Sequence, residues 1–104
     1  MWLNIWCDVV ESPKVSVIIP VFNSEDLLNH CLDSVKGQSL KDIEIICIDD
    51  GSTDNSLNIL KEYESADSRF KIYQQENAGA GAARNNGIGK ASGEFILFVD
   101  SDDY

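Results

Sequence analysis

Carboxylates cluster where an apolar run ends, near the close of the sequence. Asp100, Asp102 and Asp103 follow directly on the apolar run Phe95–Val99. In extended backbone, residues two apart face the same side, so Asp100 and Asp102 can address one ligand together. Carboxylate oxygens combined with diphosphate oxygens are the usual ligands of Mg²⁺ or Mn²⁺. Taken alone, the cluster is equally compatible with a divalent-metal site and with a solvated loop.

A second carboxylate pair, Asp49 and Asp50, follows the apolar run Ile43–Ile48. Burial of an uncompensated charge is costly, so we expect at least one of the two to face solvent or a ligand. Such acceptors suit an N–H group of a base, a ribose hydroxyl or a metal. The alternative is local: Asp50 and Ser52 would form a turn, and Asp54 would cap the next helix. For Asp54 we favour the capping role.

An aromatic residue and an arginine add to these carboxylates. Phe22 follows the first apolar run, where its ring could stack on a flat ligand or simply cap the core. Gly79 and Gly81 precede a helix and weakly match a phosphate-binding loop. Arg84 is more informative, because an arginine in the first turn of an Ala-rich helix is poorly placed for the helix dipole. It is well placed to meet phosphate oxygens or a carboxylate.

The elements that must position these side chains alternate along the chain as β-α-β-α-β-α-β. Apolar runs with little polar interruption predict parallel strands, most of them covered on both faces. Stripes of apolar residues at helical spacing predict the intervening helices. The predicted strands are Val15–Val21, Ile43–Ile48, Phe70–Tyr73 and Phe95–Val99, and the predicted helices are Glu25–Lys36, Asn55–Glu64 and Gly81–Ala91.

This alternation predicts an α/β fold of Rossmann-like type with a mostly parallel sheet and right-handed crossovers. Ligands of open α/β sheets bind outside the carboxyl ends of the strands. Phe22, the Asp49-Asp50 pair, Arg84 and the closing acidic cluster all fall at that edge. Together they form the set of groups needed to hold a nucleoside diphosphate through its metal.

Composition limits the class of protein. The chain has 104 residues, 43% of them hydrophobic and 25% charged, which suits one modest globular domain. The net charge of −10 argues against a nucleic-acid partner, because phosphate backbones require a positive surface. Cys7, Cys31 and Cys47 are scattered, and the two later ones lie in apolar patterns, which predicts small buried side chains in a reducing compartment. We interpret that compartment as the cytoplasm.

Residues 1–12 precede the first predicted strand and lack the pattern of a secretory signal. We favour a loosely packed leader. The alternative is a peripheral contact with a partner or with the inner face of a membrane, made by Trp2, Leu3, Ile5 and Trp6.

Five blocks of sequence, in order, resemble family 2 glycosyltransferases with the GT-A fold. The blocks are VSVIIPVFN, CLDSVKGQS, EIICIDDGSTDNS, NAGAGAARNNGI and ASGEFILFVDSDD, and they cover residues 13–104. The resemblance implies a nucleotide-sugar donor, usually UDP-linked, and inverting transfer of the sugar to a saccharide or lipid-linked acceptor in processes such as polysaccharide and cell-wall biosynthesis. By that resemblance Phe22 lies beside the base, where the family commonly has Tyr.

The resemblance also assigns roles to the charged residues. Asp49 and Asp50 would contact the uracil and ribose region, and Arg84 would lie near the base or diphosphate. Asp100 and Asp102 match the family's Asp-x-Asp, with Asp100 towards the ribose and sugar and Asp102 on Mn²⁺ or Mg²⁺. The nucleotide-sugar-binding residues predicted in this way are Pro20, Phe22, Asn23, Asp49, Asp50, Arg84 and Asp100.

The family's catalytic base and acceptor surface follow the Asp-x-Asp, so the resemblance implies that neither lies in this sequence. We therefore expect that the polypeptide alone does not transfer sugar and that Phe95–Val99 forms an open apolar edge that invites association. A non-catalytic nucleotide-binding or structural fragment is the main alternative. A phosphoryl-accepting receiver domain is disfavoured, because its acidic pair belongs after the first strand, where this chain has Phe22 and Asn23.

Overall fold

The computed structural model describes residues 14–37 and 42–101. The described elements alternate as predicted, and all the strand pairs are parallel, in the order β3-β2-β1-β4. This confirms the α/β class with a parallel sheet. The elements are β1 (Val15–Val21), α1 (Glu25–Lys36), β2 (Ile43–Asp50), α2 (Ser56–Ala66), β3 (Phe70–Gln75), α3 (Ala80–Lys90) and β4 (Phe95–Phe98).

Strand β2 extends beyond the apolar run that predicted it. Asp49 and Asp50 belong to the strand and pair with Gln74 and Gln75 of β3. The backbone ladder therefore continues past the point where side-chain polarity changes, because pairing depends on the neighbouring strand and not only on hydrophobicity. Both aspartates are therefore part of the paired strand and lie at the carboxyl edge of the sheet.

The sheet separates two apolar cores. Ile45 and Cys47 of β2 pack with Leu28 and Leu60 of the helices α1 and α2 on one face. Ile46 and Ile48 of the same strand pack with Ala83 of α3 on the other face. Alternation along β2 therefore assigns odd-numbered residues to the α1–α2 face and even-numbered residues to the α3 face. Cys31 and Cys47 are buried, as predicted.

Helix α3 approaches the sheet closely because the residues on its inner side are small. Ala83 and Gly87 are buried against the sheet, and a Cβ added at Gly87 would lie 2.5 Å from Cγ2 of Ile18. Within the described ranges, no helix is long and apolar enough to cross a membrane.

Strand β4 differs from the prediction that such apolar runs are covered on both faces. Its residues Phe95, Ile96, Leu97 and Phe98 are between 42% and 58% exposed. The reason is position, because β4 is the edge strand of the described sheet and α3 packs on β1 and β2. The open apolar edge expected from the sequence is present, and association through it stays a prediction.

A buried carboxylate at the opposite end of the sheet holds the loop between α3 and β4. Oε2 of Glu44 accepts hydrogen bonds from Ser16 Oγ at 2.6 Å and from the Ser92 backbone N–H at 2.6 Å. Ser16 Oγ in turn accepts the Gly93 backbone N–H at 2.8 Å. This network, which was not predicted from the sequence, attaches the start of β4 to β1 and β2. It therefore helps to fix the position of β4 in the sheet and, with it, the position of the residues that follow the strand.

Candidate functional site

A cavity of about 300 Å³ opens at the carboxyl edge of the sheet, between the end of β1 and the residues that follow β4. Because the strands are parallel, the segments that follow them meet at this edge. The cavity brings together four of the predicted site residues, namely Pro20, Phe22, Asp50 and Asp100. Its lining is Pro20, Val21, Phe22, Ser24, Asp50, Ala80, Asp100 and Ser101.

Phe22 presents its ring to the cavity and does not seal the core. The side chain that precedes it, Val21, is fully buried, whereas Phe22 is 48% exposed. The strand ends at Val21, and the backbone bends at Phe22 and Asn23. Of the two roles left open by the sequence, the structure therefore favours an aromatic surface available to a flat ligand.

Asp49 and Asp50 do not converge on one ligand. They are successive residues of one strand, so their side chains lie on opposite faces of the sheet. Each residue is 3% exposed, and only Asp50 lines the cavity. The cost of burying the Asp50 carboxylate is offset by hydrogen bonds.

The carboxylate of Asp50 anchors the beginning of α3. It accepts the backbone N–H groups of Ala78 at 2.8 Å and Gly79 at 3.0 Å, and Nε2 of Gln75 at 2.9 Å. Burial by itself raises the pKa of this carboxyl, but the hydrogen bonds from Gln75, Ala78 and Gly79 outweigh it and hold the pKa below its usual value. Because Asp50 already occupies these N–H groups, they are not free for the phosphate suggested by the Gly79-x-Gly81 pattern.

Asp49 has a sparser environment on the α1–α2 face. Its Oδ2 accepts the Ser52 backbone N–H at 3.3 Å, while Oδ1 is buried and has no hydrogen-bond partner among the described residues. The predicted contact of Asp49 with the nucleotide therefore gains no support from its position, since it does not line the cavity.

Asn23 clamps the loop between β2 and α2. Its Oδ1 accepts the backbone N–H groups of Thr53 at 2.8 Å and Asp54 at 3.3 Å, and its own N–H donates to Ser52 Oγ at 2.9 Å. Asn23 has a φ of 47°, in the left-handed region that asparagine tolerates better than most residues. Its side-chain oxygen is thus committed to the protein and does not line the cavity.

Reciprocal hydrogen bonds link the start of α1 to the residues directly before α2. Oδ2 of Asp54 accepts the Glu25 backbone N–H at 3.2 Å, and Oε1 of Glu25 accepts the Asn55 backbone N–H at 3.3 Å. Asp54 also accepts the Ser56 N–H at 2.9 Å, so it satisfies an N–H of the first residue of α2, although Asn55 and not Asp54 occupies the N-cap position. Burial alone raises the pKa of Asp54, but hydrogen bonds from Ser56 and Glu25 outweigh it and lower the pKa.

Arg84 reaches the acidic residues after β4. Its Nη2 lies 3.2 Å from Oδ1 of Asp100, and both side chains are substantially exposed. The pair shows that α3 delivers a cation next to the cavity, as the sequence predicted. Asp102, the predicted metal ligand, lies outside the described residues, and within those residues no group of three potential metal ligands is present.

Two hydroxyls in the cavity were not assigned to the site by sequence reasoning. Ser24 Oγ lies 2.8 Å from Ser101 Oγ and 3.0 Å from the backbone oxygen of Phe22. Ser24 is the N-cap of α1, but its side chain makes no capping bond. No local signal could have revealed this contact, because its partners are 77 positions apart in the chain.

Comparison with known proteins gives one consistent family. The model of glycosyl transferase family 2 matches residues 16–104. A putative glycosyltransferase of Bacillus subtilis, EpsH, is 50% identical over 91% of this chain and 28% of its own length. The poly(ribitol-phosphate) beta-glucosyltransferase of Bacillus spizizenii is 50% identical over 88% of the chain and 15% of its own length.

Solved structures agree with the sequence relatives. Residues 1–349 of S. aureus TarS in complex with UDP-GlcNAc superpose with a TM-score of 0.82 at 41% identity, covering 88% of this chain and 27% of that TarS segment. The mannosyltransferase PcManGT from Pyrobaculum calidifontis, in complex with GDP-Man and Mn²⁺, gives a TM-score of 0.80 at 25% identity, covering 88% of this chain and 28% of its own. The chain thus spans less than a third of each of these proteins.

Proposed function

The chain belongs to glycosyl transferase family 2, and from that premise we propose that it forms the part of a transferase that binds a nucleotide-sugar donor, specifically a UDP-sugar. The observation that carries this proposal is the cavity at the carboxyl edge of the sheet, where Phe22, Asp50 and Asp100 meet. An exposed aromatic residue and an exposed carboxylate both line the cavity, and an arginine is paired with the carboxylate. That arrangement suits a ligand with a flat base at one end and a diphosphate at the other.

The nucleotide base would stack on Phe22, with Asp50 beside it. An N–H group of the base would replace one of the hydrogen bonds that the Asp50 carboxylate accepts from Gln75, Asn77, Ala78 and Gly79. Arg84 would turn from Asp100 to the diphosphate, because its exposed ion pair is weak and its guanidinium binds phosphate well. The UDP-GlcNAc complex of TarS supports a uridine donor.

The acidic residues after β4 fit a divalent cation. Asp100 offers an exposed carboxylate beside the cavity, and hard cations prefer such oxygens. We assign Asp102 as the metal ligand and Asp100 to the ribose and sugar side, with Mn²⁺ or Mg²⁺ as the ion, and the Mn²⁺ complex of PcManGT supports this. When bound, the ion would neutralise charge on the diphosphate leaving group.

Transfer itself is proposed for the whole protein. The proposal is inverting transfer of the sugar to a saccharide or lipid-linked hydroxyl, in the cytoplasm or peripherally at the inner face of the membrane. The beta-glucosyltransferase relative that acts on poly(ribitol-phosphate) supports a polymeric acceptor of this kind. A base beside the acceptor hydroxyl is required for such a reaction, and none of the described residues is assigned that role.

Isothermal titration with UDP tests the donor site directly. We expect the 104-residue chain to bind UDP in the presence of Mn²⁺ and to bind it much more weakly when the metal is chelated. Asp102→Asn should abolish the metal-dependent part of the affinity. Glu94→Gln is the matched control, since Glu94 is exposed and precedes β4 at the opposite end of the sheet.

Two outcomes would contradict the proposal. The first is a folded protein that does not bind UDP with Mn²⁺, which would favour a purely structural role. The second is equal loss of affinity in Asp102→Asn and Glu94→Gln, which would show a nonspecific charge effect. Release of UDP from UDP-sugars in the presence of acceptors would separately test the expectation that this polypeptide alone does not transfer sugar.

A further inference from the structure

The residues after β4 are held by a part-buried pair of hydroxyl groups. We call Asp100 and Ser101 the acidic turn; Ser101 is 8% exposed and its Oγ lies 2.8 Å from Ser24 Oγ. The backbone N–H of Val99, directly before the turn, donates to the Ile18 oxygen at 3.0 Å. The turn is therefore attached to β1 by its backbone on one side and to the start of α1 by a side chain on the other.

The direction of the hydrogen bonds can be worked out from the hydroxyl of Ser24. A serine hydroxyl has one proton to donate. That of Ser24 goes to the Phe22 carbonyl oxygen at 3.0 Å, which can only accept. Ser101 must then donate to Ser24. A continuous chain of hydrogen bonds thus runs from the backbone of Phe22 through Ser24 to the acidic turn.

Ser24 is fixed independently of this chain. Its backbone N–H donates to Ser56 Oγ at 2.9 Å, and its carbonyl accepts the N–H of Leu28 at 2.8 Å inside α1. Its side chain makes no capping bond to α1. Loss of the hydroxyl would therefore release Ser101 while leaving the backbone contacts of the helix start in place.

We propose that Ser24 is a positioning residue of the donor site, which fixes the acidic turn so that Asp100 is held at the cavity. Asp102, the proposed metal ligand, follows Ser101 directly in the sequence. The inference rests on the proposed function. The Arg84–Asp100 pair does not replace this role, because its side chains are 38% and 53% exposed and such pairs contribute little. When Arg84 meets the diphosphate, the part-buried Ser24–Ser101 bond continues to hold the turn.

Binding of UDP by the full chain tests this role through four proteins: wild type, Ser24→Ala, Ser101→Ala and the double variant. Each single variant should lose roughly 3- to 10-fold in Mn²⁺-dependent affinity, the effect expected for one ordinary hydrogen bond. The double variant should lose no more than either single one, because one interaction is being removed. Ser24→Thr, which keeps the hydroxyl, should restore affinity.

The affinity for UDP without Mn²⁺ distinguishes a positioning role of Ser24 from a general structural defect, because only a general defect would lower it. Weak UDP binding without Mn²⁺ should depend on Phe22 and remain at the wild-type level in Ser24→Ala. Unchanged Mn²⁺-dependent affinity in Ser24→Ala, or losses that add in the double variant, would overturn the proposal.

A second measurement separates this inference from the proposed function. If wild type binds no UDP, the donor-site proposal fails, and amide hydrogen exchange of the ligand-free chain then decides the role of Ser24. Faster exchange at Asp100 and Ser101 in Ser24→Ala, with α1 unchanged, would support positioning of the turn. Equal exchange in the two proteins would overturn it.

Discussion

Asp49 and Asp50 are adjacent in β2 and lie on opposite faces of the sheet, so one carboxylate faces α3 and the other faces α1 and α2. Asp50 receives hydrogen bonds from two backbone N–H groups and from Gln75, whereas Asp49 receives a single one from Ser52. Two residues that look equivalent in the sequence therefore contribute unequally to stability, and substitution of each one can measure the difference.

Asp50→Asn should destabilise the fold more than Asp49→Asn. The amide of asparagine has one acceptor oxygen, so its NH₂ group would face the N–H of Ala78 or Gly79 and leave a donor unsatisfied. Loss of charge-assisted bonds at this site should lower the free energy of unfolding by about 2 kcal/mol. Urea denaturation of both variants measures the difference, and an equal effect of the two substitutions would contradict it.

Stability should fall steeply in acid. Burial alone raises the pKa of Glu44, but hydrogen bonds from Ser16 and Ser92 outweigh it and lower the pKa, as happens also at Asp50. A carboxyl whose pKa is lower in the folded state contributes stability above its unfolded pKa and loses it as pH falls through the folded value. The loss should therefore set in below about pH 4, the ordinary range for carboxylic acids. Glu44→Gln should show a shallower decline between about pH 4 and pH 2 in urea denaturation, and an unchanged slope would count against this account.

Gly93→Ala should destabilise the chain through a steric clash. A Cβ at Gly93 would lie 2.7 Å from Ser16 Oγ and 2.9 Å from the backbone carbon of Val15, which cannot move aside cheaply. Gly89→Ala is the matched control, because a Cβ there meets nothing within 4 Å and alanine favours helix. Thermal unfolding should show a lower melting temperature for Gly93→Ala and an equal or higher one for Gly89→Ala. Similar melting temperatures would show that the loop relaxes.

Substitutions of Asn23 should separate backbone strain from lost hydrogen bonds. Alanine loses the bonds to Thr53 and Asp54 and also retains an unfavourable φ of 47°. Glycine loses the same bonds without the strain, so Asn23→Ala should be less stable than Asn23→Gly by about 1 kcal/mol. Chemical denaturation measures the gap, and a more stable alanine variant would show that the turn changes conformation.

Arg84→Ala should leave stability nearly unchanged and weaken donor binding. The exposed pair with Asp100 contributes at most about 1 kcal/mol to folding. The same guanidinium is the proposed diphosphate ligand, so the affinity for UDP should fall about 10-fold or more, and Arg84→Lys should recover only part of it. Titration of UDP and urea denaturation on the same samples distinguish the two effects. A variant that binds UDP normally would remove Arg84 from the proposed site.

Much of the architecture follows from local patterns. Apolar runs and helical stripes predicted each of the described strands and helices, because burial on a sheet face or a helix side repeats over a few residues. Element ends were less exact, as the extension of β2 through Asp50 shows. The exposed β4 is the instructive error, since an apolar run indicates that a strand suits burial and not that neighbouring elements cover it.

The sequence by itself determined the α/β class, the family and the edge of the sheet at which Phe22, Asp50, Arg84 and Asp100 gather. Only the tertiary structure decided what these residues and their neighbours bind within the protein. Asn23 holds a distant loop, Asp50 holds the start of α3, and Ser24 holds Ser101, which is 77 positions away. The physical reason is that periodicity reports local burial, whereas a hydrogen bond requires two particular groups to meet. Which groups come together depends on the spatial order of the parallel strands in the described sheet.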